Sequence, residues 1–123
     1  MDLAPKNNIV DGKKSPSLLP MDILIRYVLP AYQEGLLKYG RETWRQGFKV
    51  STMLDACMRH MTAFYWDYED YDPGALHDYS IQKHHLGAAI FCLLSILQGV
   101  DTARNDLDDR PDLLKQRGYP TQP

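Results

Sequence analysis

Between Asp67 and Asp78 the chain carries five carboxylates, Asp67, Glu69, Asp70, Asp72 and Asp78, with neither lysine nor arginine among them. Clustered like charges repel, so solvent, a helix N-terminus or a divalent cation must offset them. Carboxylate oxygens are the donors that Mg2+ and Mn2+ prefer, and Mn2+ also accepts imidazole. His60 precedes this acidic run, and His77, His84 and His85 accompany or follow it. At 100° per residue His85 shares a helical face with Ala88, Ala89 and Cys92, whereas His84 points elsewhere. His60 lies on the face of Cys57 and Phe64. The residues alone leave two readings open: a metal site, or a solvated acidic loop beside capping and core histidines.

A second group could handle phosphates. Glu34 and Lys38 stand one helical turn apart, which suits either a surface ion pair worth about 0.3–0.5 kcal/mol or an acid and a phosphate-binding cation in one site. Arg41, Arg45 and Arg59 are further phosphate contacts or simply exposed cations. Tyr39, Trp44, Tyr65, Trp66, Tyr68 and Tyr71 crowd the same stretches. Aromatics are most often core or interface, yet a purine base also needs a flat apolar surface to stack on. No phosphate-binding loop, Gly-rich dinucleotide turn or Ser/Cys nucleophile with a partner is present.

The elements that must position these groups read as helices. Apolar positions Ile23, Leu24, Tyr27, Val28, Ala31 and Tyr32 recur at helical spacing, so a first helix is expected over 21–38. Asp22 is its candidate N-cap, Pro30 kinks or splits it, and Gly40 stops it. A second helix is expected over 51–66, capped by Ser51 or Thr52, with Leu54, Cys57, Met58, Met61 and Phe64 on its buried face. Asp72-Pro73-Gly74 interrupts the pattern. A third helix is expected over 80–98, capped by Asp78 or Ser80 and closed by Gly99; its second half is apolar nearly all round, which marks a central helix. The fold class is therefore all-α: a small bundle of three main helices with extended arms. Residues 1–17 read as a flexible arm, 18–104 as the helical domain and 105–123 as a loosely packed tail. Three helices cannot cover all the apolar surface of the third, so a homo-oligomer is expected to complete the core.

Bulk properties narrow the function. A chain of 123 residues, 44% hydrophobic and 24% charged, has the composition of one ordinary globular domain. Its formal charge of −2 gives no general attraction to nucleic acid or an anionic membrane. The two cysteines, Cys57 and Cys92, lie in apolar segments and form no disulfide framework. The longest apolar run, Leu86 to Leu97, is too short to span a bilayer, and no secretory signal is visible. A cytoplasmic location is the expectation.

The order of segments resembles a known family. Gly12-Lys13-Lys14-Ser15-Pro16 and Leu18-Leu19-Pro20 are followed by Lys38-Tyr39-Gly40, Trp44 with Gly47, and Arg59-His60. Glu69-Asp70-Tyr71-Asp72, His85-Leu86 opening an apolar helix, and Asp108-Asp109-Arg110-Pro111 complete the series. In this order the chain resembles the N-terminal domain family of phage dATP/dGTP diphosphohydrolases. The resemblance implies an all-α fold in the style of MazG-like nucleotide pyrophosphohydrolases, acting in a phage host's cytoplasm. It also implies Mg2+ or Mn2+ as cofactor and cleavage between the α- and β-phosphates of a purine deoxynucleoside triphosphate. At the matching positions Glu69, Asp72, His85 and His60 would hold metal, and Glu34, Glu69 and Asp72 would be catalytic. Lys38, Arg41 and Arg59 would contact phosphates, and Trp44 or Tyr65 the base. Family members often read His-Leu-x-His-Ala and then Asn on the third helix, whereas Ala88 and Cys92 stand at the later positions here. A non-catalytic nucleotide-binding or host-factor-inhibiting relative is the alternative expectation.

Overall fold

The computed structural model describes residues 12–41 and 46–112. A 3-10 turn (Pro16–Leu18) leads into α1 (Met21–Ile23), a π-helical turn (Leu24–Val28) and α2 (Leu29–Tyr39), which follow one another without a break. Then come α3 (Val50–Tyr65), α4 (Pro73–Tyr79), α5 (His85–Asp101) and a closing 3-10 turn (Asn105–Leu107). The described residues contain no strand, only an isolated antiparallel bridge between Tyr71 and His84. The all-α expectation holds.

Pro30 shapes the first rod. It has no N–H to give the carbonyl one α-turn back, so the helix cannot pass through it in regular register. The chain widens by one residue instead, and the Leu29 N–H reaches the Leu24 carbonyl across the π turn. Pro30 then sits in the first turn of α2, where a missing donor costs nothing. The rod ends at Gly40, whose φ of 74° and ψ of 160° are open to glycine alone at little cost.

The N-terminus of α3 corrects one expectation. Neither Ser51 nor Thr52 caps it; Lys49 occupies the cap position with no side-chain bond. The acceptor comes from far along the chain. Asp109 takes the Ser51 backbone N–H at 2.8 Å through Oδ1 and the Ser51 hydroxyl through Oδ2. Arg104 adds a bond from its guanidinium to the Gln46 carbonyl at 2.8 Å. These contacts hold residues 104–109 against the start of α3.

The expected third helix is two helices. Asp72 caps α4 by accepting the Gly74 N–H at 2.9 Å, and Ser80, in the left-handed region at φ 56°, ends it. Asp78 is therefore interior to α4 and Ser80 terminates it, so neither caps the apolar helix. His84 does so, accepting the Leu86 N–H on Nδ1 at 3.0 Å. Gly99 does not close α5, which runs on to Asp101.

The core lies between α3 and α5. Met53 and Cys57 meet Ala89 and Cys92, with Phe48, Ala56, Phe91 and Ile96 packed around them. The buried face of α5 is built of small residues, Gly87, Ala88, Ala89, Cys92 and Ser95, so its axis approaches its neighbours closely. Other large side chains of α5 point away from the core: Leu97 is 60% and Val100 68% exposed. No helix among the described residues is long and apolar enough to cross a membrane.

Candidate active site

Tyr68, with φ of 54°, reverses the chain after α3, and the Glu69 N–H bonds back to the Ala63 carbonyl at 3.0 Å. The returning strap pairs with the segment entering α5: the Asp72 N–H meets the Lys83 carbonyl, and the His85 N–H the Asp70 carbonyl, each at 2.8 Å. Extended chain alternates its side chains between two faces. Tyr71 and His84 therefore turn to one side, with ring centroids 5.1 Å apart, beside Tyr27 and Phe64. Lys83 and His85 turn inward and are only 7% and 5% exposed.

Inward, two clusters form. The Lys83 ammonium lies 2.6 Å from Glu34 Oε1 on α2 and 3.3 Å from Asp72 Oδ2 on the strap. A charge so deeply buried persists only when paired, and here two carboxylates share one cation. Burial pushes the Asp72 carboxyl up, but the Lys83 ammonium and the Gly74 N–H outweigh it and hold it below its ordinary range.

The second cluster is a chain of three side chains. His85 Nε2 meets Glu69 Oε1 at 2.7 Å, and His85 Nδ1 meets His60 Nδ1 at 2.8 Å. The Nδ1 pair shares a single proton. Burial, then the positive charges of Lys83 and His85, lower the pKa of His60 from 6.5 to about 4. His60 is thus neutral at pH 7. If His85 is also neutral it donates from Nε2 to Glu69 and accepts from His60; if it is an imidazolium it donates at both ends.

His60, Lys83, Glu34 and Asp72 all line one cleft of ≈ 320 Å³, with Lys38 and Arg59 also in its wall. Three cations face two carboxylates there, so the cleft suits an anionic ligand. Tyr39 and Phe48 form an aromatic pair in the same wall, with centroids 5.4 Å apart.

The expected site residues divide accordingly. Glu34, Lys38, Arg59, His60 and Asp72 come together in the cleft, and Glu34 spends its charge on Lys83 rather than forming a surface pair with Lys38. Glu69 and His85 back the cleft through His60. Arg41 is exposed and does not line it, and Tyr65, 69% exposed, meets Trp66 edge to face instead. Trp44 lies outside the described residues. Lys83 is the member that sequence reasoning missed. Its signal was present: it is the sole lysine or arginine between Arg59 and Arg104, two residues before His85.

The expected convergence of Glu69, Asp72 and His85 on a metal does not occur. No group of three or more His, Cys, Asp or Glu side chains among the described residues has the arrangement to hold an ion. The physical reason is the company each keeps. Both His85 nitrogens are engaged by Glu69 and His60, and the space between Glu34 and Asp72 is filled by an ammonium. In this arrangement the residues do not fit a resident Mg2+ or Mn2+.

Neutral His60 makes the fold acid-sensitive. The unfolded imidazole titrates near 6.5 and the folded one near 4, so between these values the unfolded chain binds the extra proton. Stability therefore falls as pH drops through that window. The full shift corresponds to about 3 kcal/mol, which solvent screening of the partly exposed ring reduces to about 1–2 kcal/mol. Urea unfolding of wild type and His60→Asn at pH 7 and pH 4 should show the smaller loss in the variant; equal losses would remove His60 as the cause.

No curated protein and no solved structure matches the chain significantly. The family model described as dATP/dGTP diphosphohydrolase, N-terminal, matches residues 4–110, a span that takes in both side-chain clusters and the cleft. The chain belongs to the dATP/dGTP diphosphohydrolase N-terminal domain family.

Proposed function

We propose that the chain hydrolyses purine deoxynucleoside triphosphates to the monophosphate and pyrophosphate. The observation that carries this reading is the Glu34–Lys83–Asp72 cluster, sunk in a cleft whose wall also holds Lys38 and Arg59. The family description supplies the class of substrate.

In this reaction a water oxygen bonds to the α-phosphorus and the bridging oxygen leaves with pyrophosphate. Charge builds on the leaving group, so fixed cations beside it contribute most to the rate. Lys38 and Arg59 would hold the β- and γ-phosphates, and the Lys83 ammonium would face the α–β bridge. Glu34 and Asp72, already held in place by Lys83, would orient the attacking water and take its proton. Tyr39 and Phe48 offer the base an apolar wall. The Mg2+ or Mn2+ that the family resemblance implies finds its candidate ligands already engaged here by Lys83, Glu69 and His60.

The test is to incubate the purified chain with each dNTP and NTP, with Mg2+, with Mn2+ and with chelator, and to resolve the products. Monophosphate plus pyrophosphate is expected, fastest with purine deoxynucleotides. Diphosphate plus orthophosphate would overturn the reading. Ala88 and Cys92 favour one alternative. They line the cleft at positions where the family resemblance implies polar side chains, so nucleotide binding without turnover would make the chain a binding protein.

We also propose self-association through the outer face of α5, where Leu86, Ile90, Leu93, Leu94, Leu97 and Val100 are exposed in the single chain. Monomeric proteins rarely leave such a contiguous apolar face in water. Light scattering at micromolar concentration should give an oligomer for wild type and a monomer for Leu97→Glu. A monomeric wild type would sink this proposal.

A further inference from the structure

We propose that Lys83 is the built-in cation of this cleft, standing between Glu34 and Asp72 where a divalent ion would have to sit. The cleft then holds a chain of phosphates through Lys83, Lys38 and Arg59 without a resident metal. Its nucleotide ligand rests on the proposed hydrolase reading, but the statement about the cation does not.

Three observations support it. First, the ammonium contacts carboxylates from two separate elements, Glu34 at 2.6 Å on α2 and Asp72 at 3.3 Å on the strap. Second, it is not a surface group that swings aside freely: Lys83 is 7% exposed, and its backbone carbonyl is bound to the Asp72 N–H at 2.8 Å. Third, the remaining hard or imidazole donors are spent on one another, since His85 is held by Glu69 on one nitrogen and by His60 on the other.

Mg2+ requires near-octahedral oxygen ligands at about 2.0–2.1 Å. Its entry between Glu34 and Asp72 would leave the Lys83 ammonium buried beside a doubly charged ion, stripped of both partners. Like charges in a poorly solvated site disfavour that state strongly. With Lys83 in place, the charge of the two carboxylates is offset by half from within. Lys38 and Arg59 remain to meet the phosphates, and the cation that cross-links α2 to the strap also faces the ligand. Removing the ammonium leaves two carboxylates close together with no cation between them. Such a pair either takes up a proton or gathers a divalent ion.

The experiment uses the full chain freed of metal by chelation and dialysis. Mn2+ is titrated alone and followed by the electron paramagnetic resonance of the free ion; pyrophosphate is titrated by calorimetry in the presence of EDTA. Wild type is expected to take up no stoichiometric Mn2+ and to bind pyrophosphate in EDTA. Lys83→Met is expected to bind one Mn2+ per chain at least about tenfold tighter than wild type, and pyrophosphate in EDTA at least about tenfold more weakly. The double variant Lys83→Met/Glu34→Gln should lose the new Mn2+ site.

Wild type that binds one Mn2+ as tightly as Lys83→Met overturns the proposal, as does a folded Lys83→Met that gains no Mn2+ site. Pyrophosphate binding to wild type that vanishes in EDTA overturns it too. If Lys83→Met does not fold, the two wild-type titrations still decide. A chain that rejects Mn2+ and holds pyrophosphate in EDTA, yet turns over no dNTP, keeps Lys83 as the resident cation and refutes the hydrolase reading alone.

Discussion

Replacing Asp72 with asparagine should lower dNTP turnover on the order of 100-fold while leaving the helical fold in place. The two carboxylate oxygens have separate duties. Oδ1 caps α4 through the Gly74 N–H at 2.9 Å, and an asparagine carbonyl can accept that bond equally well. Oδ2 faces the Lys83 ammonium at 3.3 Å, and there the amide supplies no negative charge. Lys83 keeps Glu34 but loses half of what holds it in line, and any water oriented by Asp72 loses its proton acceptor. Asp72→Ala removes the cap as well, so it should cost about a further 1 kcal/mol of stability. The comparison separates chemistry from folding: circular dichroism and urea unfolding report the cap, and product formation under saturating dNTP reports the carboxylate. If Asp72→Asn turns over dNTPs at the wild-type rate, the Glu34–Lys83–Asp72 cluster is a structural ion pair and the proposed site is wrong.

Much of this arrangement was legible in the residues, and what was not had local causes. The helical spacing of Leu54, Cys57, Met58, Met61 and Phe64 placed α3 but misread its buried face. Leu54, Met58 and Met61 are exposed, and the side turned to the core carries Val50, Met53 and Cys57. Gly40 closed α2 because its backbone conformation excludes side chains. The cap of α3 was not legible, since its acceptor, Asp109, lies 58 residues away and competes with two plausible local serine and threonine candidates. The division of the third helix hid in residues 80–85. Helical wheels assign Lys83, His84 and His85 to three different directions. A period of two puts Lys83 and His85 together, and only the bridge between Tyr71 and His84 selects that period. That misassigned period is also why Lys83 escaped notice, whereas the meeting of Glu69, Asp72 and His85 was expected from the crowding of carboxylates and the family resemblance. Nothing in the order of residues says that an ammonium will arrive between two acids first.

Gly87→Ala should destabilise the protein by about 3 kcal/mol, against the general preference of helices for alanine. A glycine inside a helix ordinarily costs about 0.5–1 kcal/mol relative to alanine, so substitution at an open position helps. Gly99, also within α5, is such a position: a Cβ there would rest 3.5 Å from the Leu107 side chain, an ordinary contact, and Gly99→Ala should stabilise slightly. At Gly87 a Cβ would lie 1.7 Å from the Tyr27 carbonyl oxygen and 2.6 Å from its carbon. Both are backbone atoms of the π turn, which Pro30 imposes and which no rotamer change can relieve. Either α5 tilts away from the rod or the rod yields, and both moves disturb the site. His85 and Lys83 lie two and four residues before Gly87, while their partners Glu34 and His60 stand on α2 and α3. Thermal unfolding should therefore show Gly87→Ala well below wild type and Gly99→Ala at or above it. Turnover in Gly87→Ala should fall even at temperatures where the variant remains folded. A Gly87→Ala protein as stable as wild type would mean that α5 does not press on the π turn, and that the Glu34–Lys83 contact is not set by this helix crossing.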